Sequence, residues 1–360
     1  MRDLLKQLTD ALDDGREAIL CQVVETKAST PQKAGAMMLV DPDGGQVGTL
    51  GGGCVEAEVK QKAIRRIGQV GAELHTFILD HDYAWADGLI CGGKMVILAE
   101  ALRGAEASAY FQAYRQQLEA GLGFTEAVAT DPERCGANVL GSRFLFDADG
   151  RFVAGRPDRD APIDLNAELK PLAERPRPQV RGGLAFLPTL PRIRLMIVGA
   201  GHVGHAVADL AARADFDVWV IDDRRQCCNA ERFPMAERLI VGPIEETLAG
   251  LDVTPMTYAL IVTRGHGHDQ EALYYLAPTL APYVGLIGSK RKIRLIFEGL
   301  RDMGIAESAL ERVSAPVGLD IGSETVLEIA VSIVAELIAK RNLGLRTKRA
   351  SAVKPGSVRA

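Results

Sequence analysis

The sequence predicts an α/β protein of two domains: an N-terminal α/β domain and a C-terminal, doubly wound parallel sheet. Three observations carry this. From residue 193 onward, strand-length apolar runs alternate with helix-period segments, the pattern of strands joined by crossover helices. Gly199-Ala200-Gly201-His202-Val203-Gly204 stands between one such strand and a helix, with Asp222 closing the next strand. In that setting the spacing reads as a Rossmann-type unit, with pyrophosphate at the helix N-terminus and Asp222 on a ribose hydroxyl. Finally, 360 residues suit about two domains, and a proline-dense stretch separates the two patterns.

The elements follow in order. Asp3 is placed to cap a first helix carrying Leu4, Leu5, Leu8, Ala11 and Leu12 on one face. Residues 18–25 and 36–40 read as buried strands, the second closed by the turn cluster 41–45. Residues 54–67 read as a helix with Val55, Val59, Ala63, Ile64 and Ile67 in one stripe. Strands are expected over 74–79 and 95–99, a helix over 106–120, and a hairpin from 139–146 and 151–154 about Asp147-Ala148-Asp149-Gly150. These make domain 1–155. Residues 156–192 hold seven of the 17 prolines, which predicts an extended connector without regular helix or central strand. Domain 193–345 then runs through strands at 193–198, 217–221, 239–241, 258–262 and 283–287. Its helices are expected at 202–214, 244–251, 270–281, 290–303 and 323–340. Residues 346–360 form a basic, solvated tail.

Composition narrows the function. The chain is 47% hydrophobic and 25% charged with a net charge of −5. It can bury a full core, and its charge gives no general nucleic-acid or membrane-surface role. No apolar run reaches the ~18 residues of a membrane span, and the N-terminus lacks a signal-peptide core. The six cysteines, at 21, 54, 91, 135, 227 and 228, show neither a CxxC pair nor a disulfide framework. Free thiols in a reducing cytoplasm are the expectation.

The most informative stretch is 48–56, Gly-Thr-Leu-Gly-Gly-Gly-Cys-Val-Glu. Gly51, Gly52 and Gly53 let backbone approach a phosphate or a flat heterocycle. A helix start behind them supplies free N–H groups and a positive dipole end. Cys54 at that position is expected to gain thiolate character and to suit a soft metal. Cys91-Gly92-Gly93-Lys94 repeats the theme, equally compatible with a tight turn over a buried thiol. Lys27, Ser29 and Lys33 lie in a loop after a strand, placed for an anion or as a plain surface turn. His266-Gly267-His268-Asp269 falls short of a zinc spacing but offers acid/base groups. Ser289 and Lys290, with Arg291 and Lys292, open a helix in a way that suits phosphate or an exposed face. The vicinal pair Cys227-Cys228 is expected as two free thiols.

Six separated motifs occur in order: 48–56, 91–94, 199–204, 262–269, 285–292 and 315–322. Together they resemble the XdhC/CoxI family, maturation factors of xanthine dehydrogenase and carbon monoxide dehydrogenase. The resemblance covers both domains. It implies a carrier rather than an oxidoreductase: a chaperone that binds molybdenum cofactor, supports its sulfuration and inserts it into an apo molybdenum hydroxylase. It further implies a cysteine desulfurase-like sulfur donor and a homodimer. It points to Gly51, Gly52, Gly53 and Cys54 as cofactor contacts, with Cys54 on the metal or in sulfur handling and Cys91 second. Gly199, Gly201, Gly204 and Asp222 remain a candidate site for NAD or another nucleotide. The competing reading is an NAD-dependent oxidoreductase with His266 or His268 as acid/base.

Overall fold

The computed structural model describes residues 1–79, 92–157 and 165–344. Cys91 and the basic tail 346–360, both singled out above, lie outside the described residues. The chain divides into two compact units, Met1–Pro191 and Arg192–Ala360.

The first unit is built on two five-stranded antiparallel sheets. The first sheet has the order β3-β2-β1-β5-β4, from β1 (Ala18–Lys27), β2 (Met37–Val40), β3 (Gln46–Gly48), β4 (Ala72–Ile78) and β5 (Lys94–Leu102). Its core positions alternate with the period of two that a pleated strand imposes. Leu20, Met37 and Leu39 pack under helix α1 (Arg2–Asp13) and α3 (Gly104–Ala120). Cys21, Val23, Met38 and Met95 pack under α2 (Gly53–Arg65) with its Val55, Val59 and Ala63. Ile64 is exposed rather than part of that stripe. Met1 precedes α1 as its N-cap and Asp3 sits inside the first turn. Asp3 therefore meets the helix dipole instead of capping.

The second sheet has the order β8-β7-β6-β10-β9, from β6 (Phe124–Ala129), β7 (Arg143–Phe146), β8 (Phe152–Arg156), β9 (Gln179–Arg181) and β10 (Leu184–Thr189). Short helices α4 (Pro132–Cys135) and α5 (Leu165–Glu168) lie on its connections. The expected connector is thus corrected. Its proline density does not exclude a central strand, because β10 pairs with β6 on one side and β9 on the other. Pro188 is tolerated because β9 meets only residues 184–186, so its missing N–H falls past the end of that ladder. β6 escaped notice because Thr125 and Glu126 interrupt its apolar run, yet all six of its residues are buried.

Those polar residues belong to a buried network. Arg143, fully buried, donates to Glu126 Oε1 at 2.8 Å, Gln22 Oε1 at 2.7 Å and Glu100 Oε2 at 3.0 Å. Gln22 donates to Glu126 at 2.8 Å, Tyr110 to Glu126 at 2.9 Å, and Arg156 pairs with Glu100. Burial alone would lower the Arg143 pKa, but Glu126 and Glu100 outweigh it and hold the guanidinium above its ordinary value. Two cations balance two carboxylates across both sheets, the condition under which buried charge is tolerated.

The second unit is a six-stranded, all-parallel sheet in the order β13-β12-β11-β14-β15-β16. Its strands are β11 (Arg194–Val198), β12 (Asp217–Asp222), β13 (Arg238–Val241), β14 (Thr257–Ile261), β15 (Tyr283–Leu286) and β16 (Val313–Ser314). This is the Rossmann strand order, with its switch point between the first and fourth strands. Helices α6 (His202–Arg213) and α11 (Val326–Leu343) cover one face. The other face carries α7 (Ile244–Ala249), α8 (His266–Leu276) and α9 (Lys290–Asp302), with α10 (Glu307–Leu310) beside them. Helix α8 starts at His266, earlier than the apolar pattern indicates, so the histidine motif opens a helix.

Candidate functional site

In the first unit, three stretches far apart in sequence pack into one corner. β1 ends at Lys27, which lies opposite Lys94 of β5. The loop that follows passes through Ala28 at φ 57°, a left-handed conformation costly for a residue with a side chain. Two glycine motifs seat against this loop. A Cβ on Gly51 would stand 2.4 Å from Pro31 Cβ. A Cβ on Gly93 would stand 2.1 Å from Ser29 O and 2.8 Å from Lys27 O. Only glycine permits such approaches. Residues 27–33, 48–56 and 92–94 therefore form one surface.

Gly51, Gly52 and Gly53 follow one another at φ 115°, 74° and 70°, a run that L side chains would strain throughout. Glu56, in the first turn of α2, holds this run in place. Its carboxylate accepts from Thr49 Oγ1 at 2.6 Å, Leu50 N at 2.7 Å, Gln46 Nε2 at 2.7 Å and Gly52 N at 3.1 Å. Burial would raise the Glu56 pKa; these bonds outweigh it and hold it below the ordinary value. Gly52 faces open space, with no atom within 4 Å of where a Cβ would be. Cys54 is half-buried in the first turn of α2, at the positive end of the helix dipole. Lys27 is exposed, with Nζ 3.3 Å from Glu25; Lys94 approaches the same carboxylate at 3.2 Å.

The corner thus brings together Lys27, Gly51, Gly52, Gly53 and Cys54. Cys91 lies outside the described residues. Among the described residues no cluster of three histidine, cysteine or acidic side chains forms a metal site. The soft ligand that the corner offers a metal, among the described residues, is the Cys54 sulfur. The other described cysteines pack in or against apolar clusters. Burial pushes the Cys21 thiol up to about 12, and Cys227 and Cys228 are free, with Cys228 buried.

In the second unit the fingerprint glycines take distinct roles. A Cβ on Gly199, at φ 120°, would stand 2.5 Å from Val262 O, and one on Gly204 would stand 2.0 Å from Gly199 O. Gly201 meets nothing within 4 Å. The first and third glycines thus serve packing, and the second leaves room in front of α6, where a phosphate would approach. Asp222 departs from the expected role. Only 3% exposed, it accepts from Ala200 N at 2.7 Å, Arg224 N at 3.0 Å, Arg224 Nε at 2.8 Å and Arg224 Nη2 at 2.9 Å. Burial would raise its pKa, but Arg224 and the Ala200 N–H bring it down to about 2. Four bonds occupy the four acceptor directions of a carboxylate, leaving none for a ribose hydroxyl.

The remaining motifs meet at the same end of this sheet. Gly199 packs on residues 262–263. Thr263 Oγ1 donates to Asp269 Oδ1 at 2.5 Å, and the fully buried Asp269 pairs with Lys292. Ser289 caps α9, accepting from Lys292 N at 3.3 Å, with Lys290 in the first turn. His266 is exposed, and His268 lies 3.3 Å from Glu271. Asp269 is thus the partner of Lys292 and not of the histidines. Glu336 ties the 315–322 segment down through Ser314 Oγ and Gly318 N. Sequence reasoning missed Glu56 as organiser and Asp269–Lys292 as a pair. Only the glutamate carried a signal, its place one turn into a helix after glycines.

Comparison with known proteins agrees over both units. The family model of the XdhC and CoxI family matches residues 11–77, and that of the XdhC Rossmann domain matches 195–337. A probable xanthine dehydrogenase subunit of Bacillus subtilis (strain 168) is 30% identical over 337 residues, covering 92% of this chain and 95% of that one. The molybdenum cofactor insertion chaperone PaoD of Escherichia coli (strain K12) is 23% identical over 344 residues, covering 94% and 88%. The crystal structure of a xanthine dehydrogenase from Bacillus halodurans superposes with a TM-score of 0.78 at 24% identity over 98% of each chain. That likeness shows a shared fold from end to end. With matching models in both units and a relative matched across nearly its whole length, this chain belongs to the XdhC and CoxI family.

Proposed function

We propose that this protein is a maturation factor that holds molybdenum cofactor and delivers it to a molybdenum hydroxylase. One observation carries the site: Cys54 opens α2 in a corner where Gly51 is pressed against Pro31 and Gly93 against the Lys27 and Ser29 carbonyls of one loop, while Gly52 stays open. The donor set fits this cargo. A thiolate is a soft ligand for a soft metal, Gly52 and Gly53 leave their backbone bare to a flat pterin, and Lys27 supplies a cation for a phosphate. Support for the cargo and the client comes from the chaperone PaoD and the xanthine dehydrogenase relative. Cys54 holds the metal or receives sulfur during sulfuration by a desulfurase-like donor. The protein acts as a homodimer. Delivery requires that the client bind the cofactor more tightly than the carrier does, by about 1.4 kcal/mol for each tenfold of transfer. An NAD-dependent oxidoreductase is the weaker reading, because Asp222 is already saturated by Ala200 and Arg224.

The test is retention. Wild-type protein mixed with molybdenum cofactor and desalted keeps molybdenum in proportion to protein, and Cys54→Ala keeps about tenfold less. A wild type that retains no molybdenum, or a variant that retains as much, overturns this assignment.

A further inference from the structure

The end of α2 away from Cys54 carries a second feature. Lys62, Arg65, Arg66, Gln69, Glu73 and His75 line a groove of about 250 Å³ between the end of α2 and β4. His75 is only 7% exposed, and its Nε2 is buried without a hydrogen-bond partner. The Nε of Arg66 is buried and unpartnered as well. Buried polar atoms in folded proteins are almost always bonded, so two orphans on residues that line one groove call for a partner from outside the chain. Arg66 Nε carries a hydrogen and can be satisfied only by an acceptor.

Charge selects the kind of acceptor. Lys62 Nζ lies 2.7 Å from Glu58 and 5.2 Å from the centre of the Phe77 ring. Arg66 Nη1 meets Glu73 at 3.0 Å and Nη2 meets Gly71 O at 3.0 Å. Three cations thus face two carboxylates, and Arg66 is locked before any ligand arrives, so little ordering remains to oppose binding. A water would satisfy an orphan nitrogen but would leave the positive balance standing. At ~30 Å³ per water the groove holds several waters' volume, room for a phosphate group and the first atoms of its ester.

We propose that this groove binds the phosphomonoester group of a small molecule, with Arg66 Nε and His75 Nε2 donating to its oxygens and Lys62 and Arg65 balancing its charge. The site is separate from the Cys54 corner and stands or falls without the cofactor reading. Burial pushes the His75 imidazole down; Glu73 on β4 and Glu58 on α2 oppose this, while Lys62 and Arg66 reinforce it. A bound oxyanion moves the His75 titration to higher pH.

The experiment is an NMR titration of the His75 ring nitrogens in the full chain, with glycerol 3-phosphate and inorganic phosphate as probes. Following the His75 ring reads binding at this groove itself. Glycerol 3-phosphate is expected to shift the His75 signals saturably, at least as tightly as inorganic phosphate. Lys62→Gln with Arg65→Gln, both at the surface, weakens it by about tenfold or more. Cys54→Ala binds the probe as wild type does, which separates this site from cofactor retention. Unmoved His75 signals at high probe, or a double variant that binds as tightly as wild type, overturn the proposal; the latter marks an adventitious ion only.

Discussion

Each unit of this protein bends a glycine loop into a helix start and holds it with one carboxylate, but the two do so differently. Asp222 is buried, takes two backbone N–H groups and is reinforced by the Arg224 guanidinium. Glu56 is only partly buried, takes two backbone N–H groups, one hydroxyl and one amide, and has no cation among those bonds. Charge-assisted bonds in a dry place are the stronger kind. The Rossmann loop is therefore a rigid scaffold with its own charge neutralised. The N-terminal loop is a lighter clasp beside a thiol and an open Gly52, a difference that suits the release of cargo under the proposed carrier role.

Substitutions probe this contrast at several depths. Arg143→Met should have the largest effect. It leaves Glu126 with only Gln22 and Tyr110 in a dry interior, and the loss should be about 3–5 kcal/mol. Chemical denaturation followed by a probe in each unit should show the first unit unfolding early and the second unmoved. Gly204→Ala comes next, because its Cβ would stand 2.0 Å from Gly199 O; about 3 kcal/mol is expected from overpacking. Gly201→Ala, which meets nothing, should change the same denaturation midpoint by about 0.5 kcal/mol or less.

Asp222→Asn and Glu56→Gln test the two carboxylates against each other, with losses of about 2 and 1 kcal/mol respectively. Their pH dependence has one sign. Both groups have folded values below their unfolded ones. Their stabilisation is complete above the unfolded values, about 4 for both, and disappears as pH falls through the folded value, near 2 for Asp222. Midpoints measured from pH 7 down into that range should fall less steeply in each variant than in wild type, and the difference should be larger for Asp222. Cys54→Ala should have the smallest effect on stability, about 0.5 kcal/mol or less by thermal melting, while the retained molybdenum drops. A large stability loss there would recast Cys54 as a packing residue.

Much of the second unit was legible because its signals are local. A parallel strand buried on both faces reads as an unbroken apolar run, as in Leu195 to Val198, and the fingerprint glycines mark a turn, a close approach and a helix contact within six residues. The second sheet of the first unit was not legible. β6 carries Thr125 and Glu126 inside the core, and β10 carries Pro188. Both are acceptable only because of partners distant in sequence: Arg143 and Gln22 for the glutamate, the short reach of β9 for the proline.

The sequence by itself determined the alternation of strands and helices after residue 193, the glycine-to-cysteine helix start, and membership of a family through ordered motifs. Each is written in neighbouring residues, where backbone freedom, helix periodicity and turn chemistry act over a few positions. Only the tertiary structure decided that residues 27–33, 48–56 and 92–94 share one corner, that Asp222 is spent on Arg224 and Ala200, that Asp269 belongs to Lys292, and that Arg143 joins two sheets. Those outcomes depend on which buried charges and bare backbones meet across long separations, and it is the satisfaction of each by the other, not any local preference, that selects them.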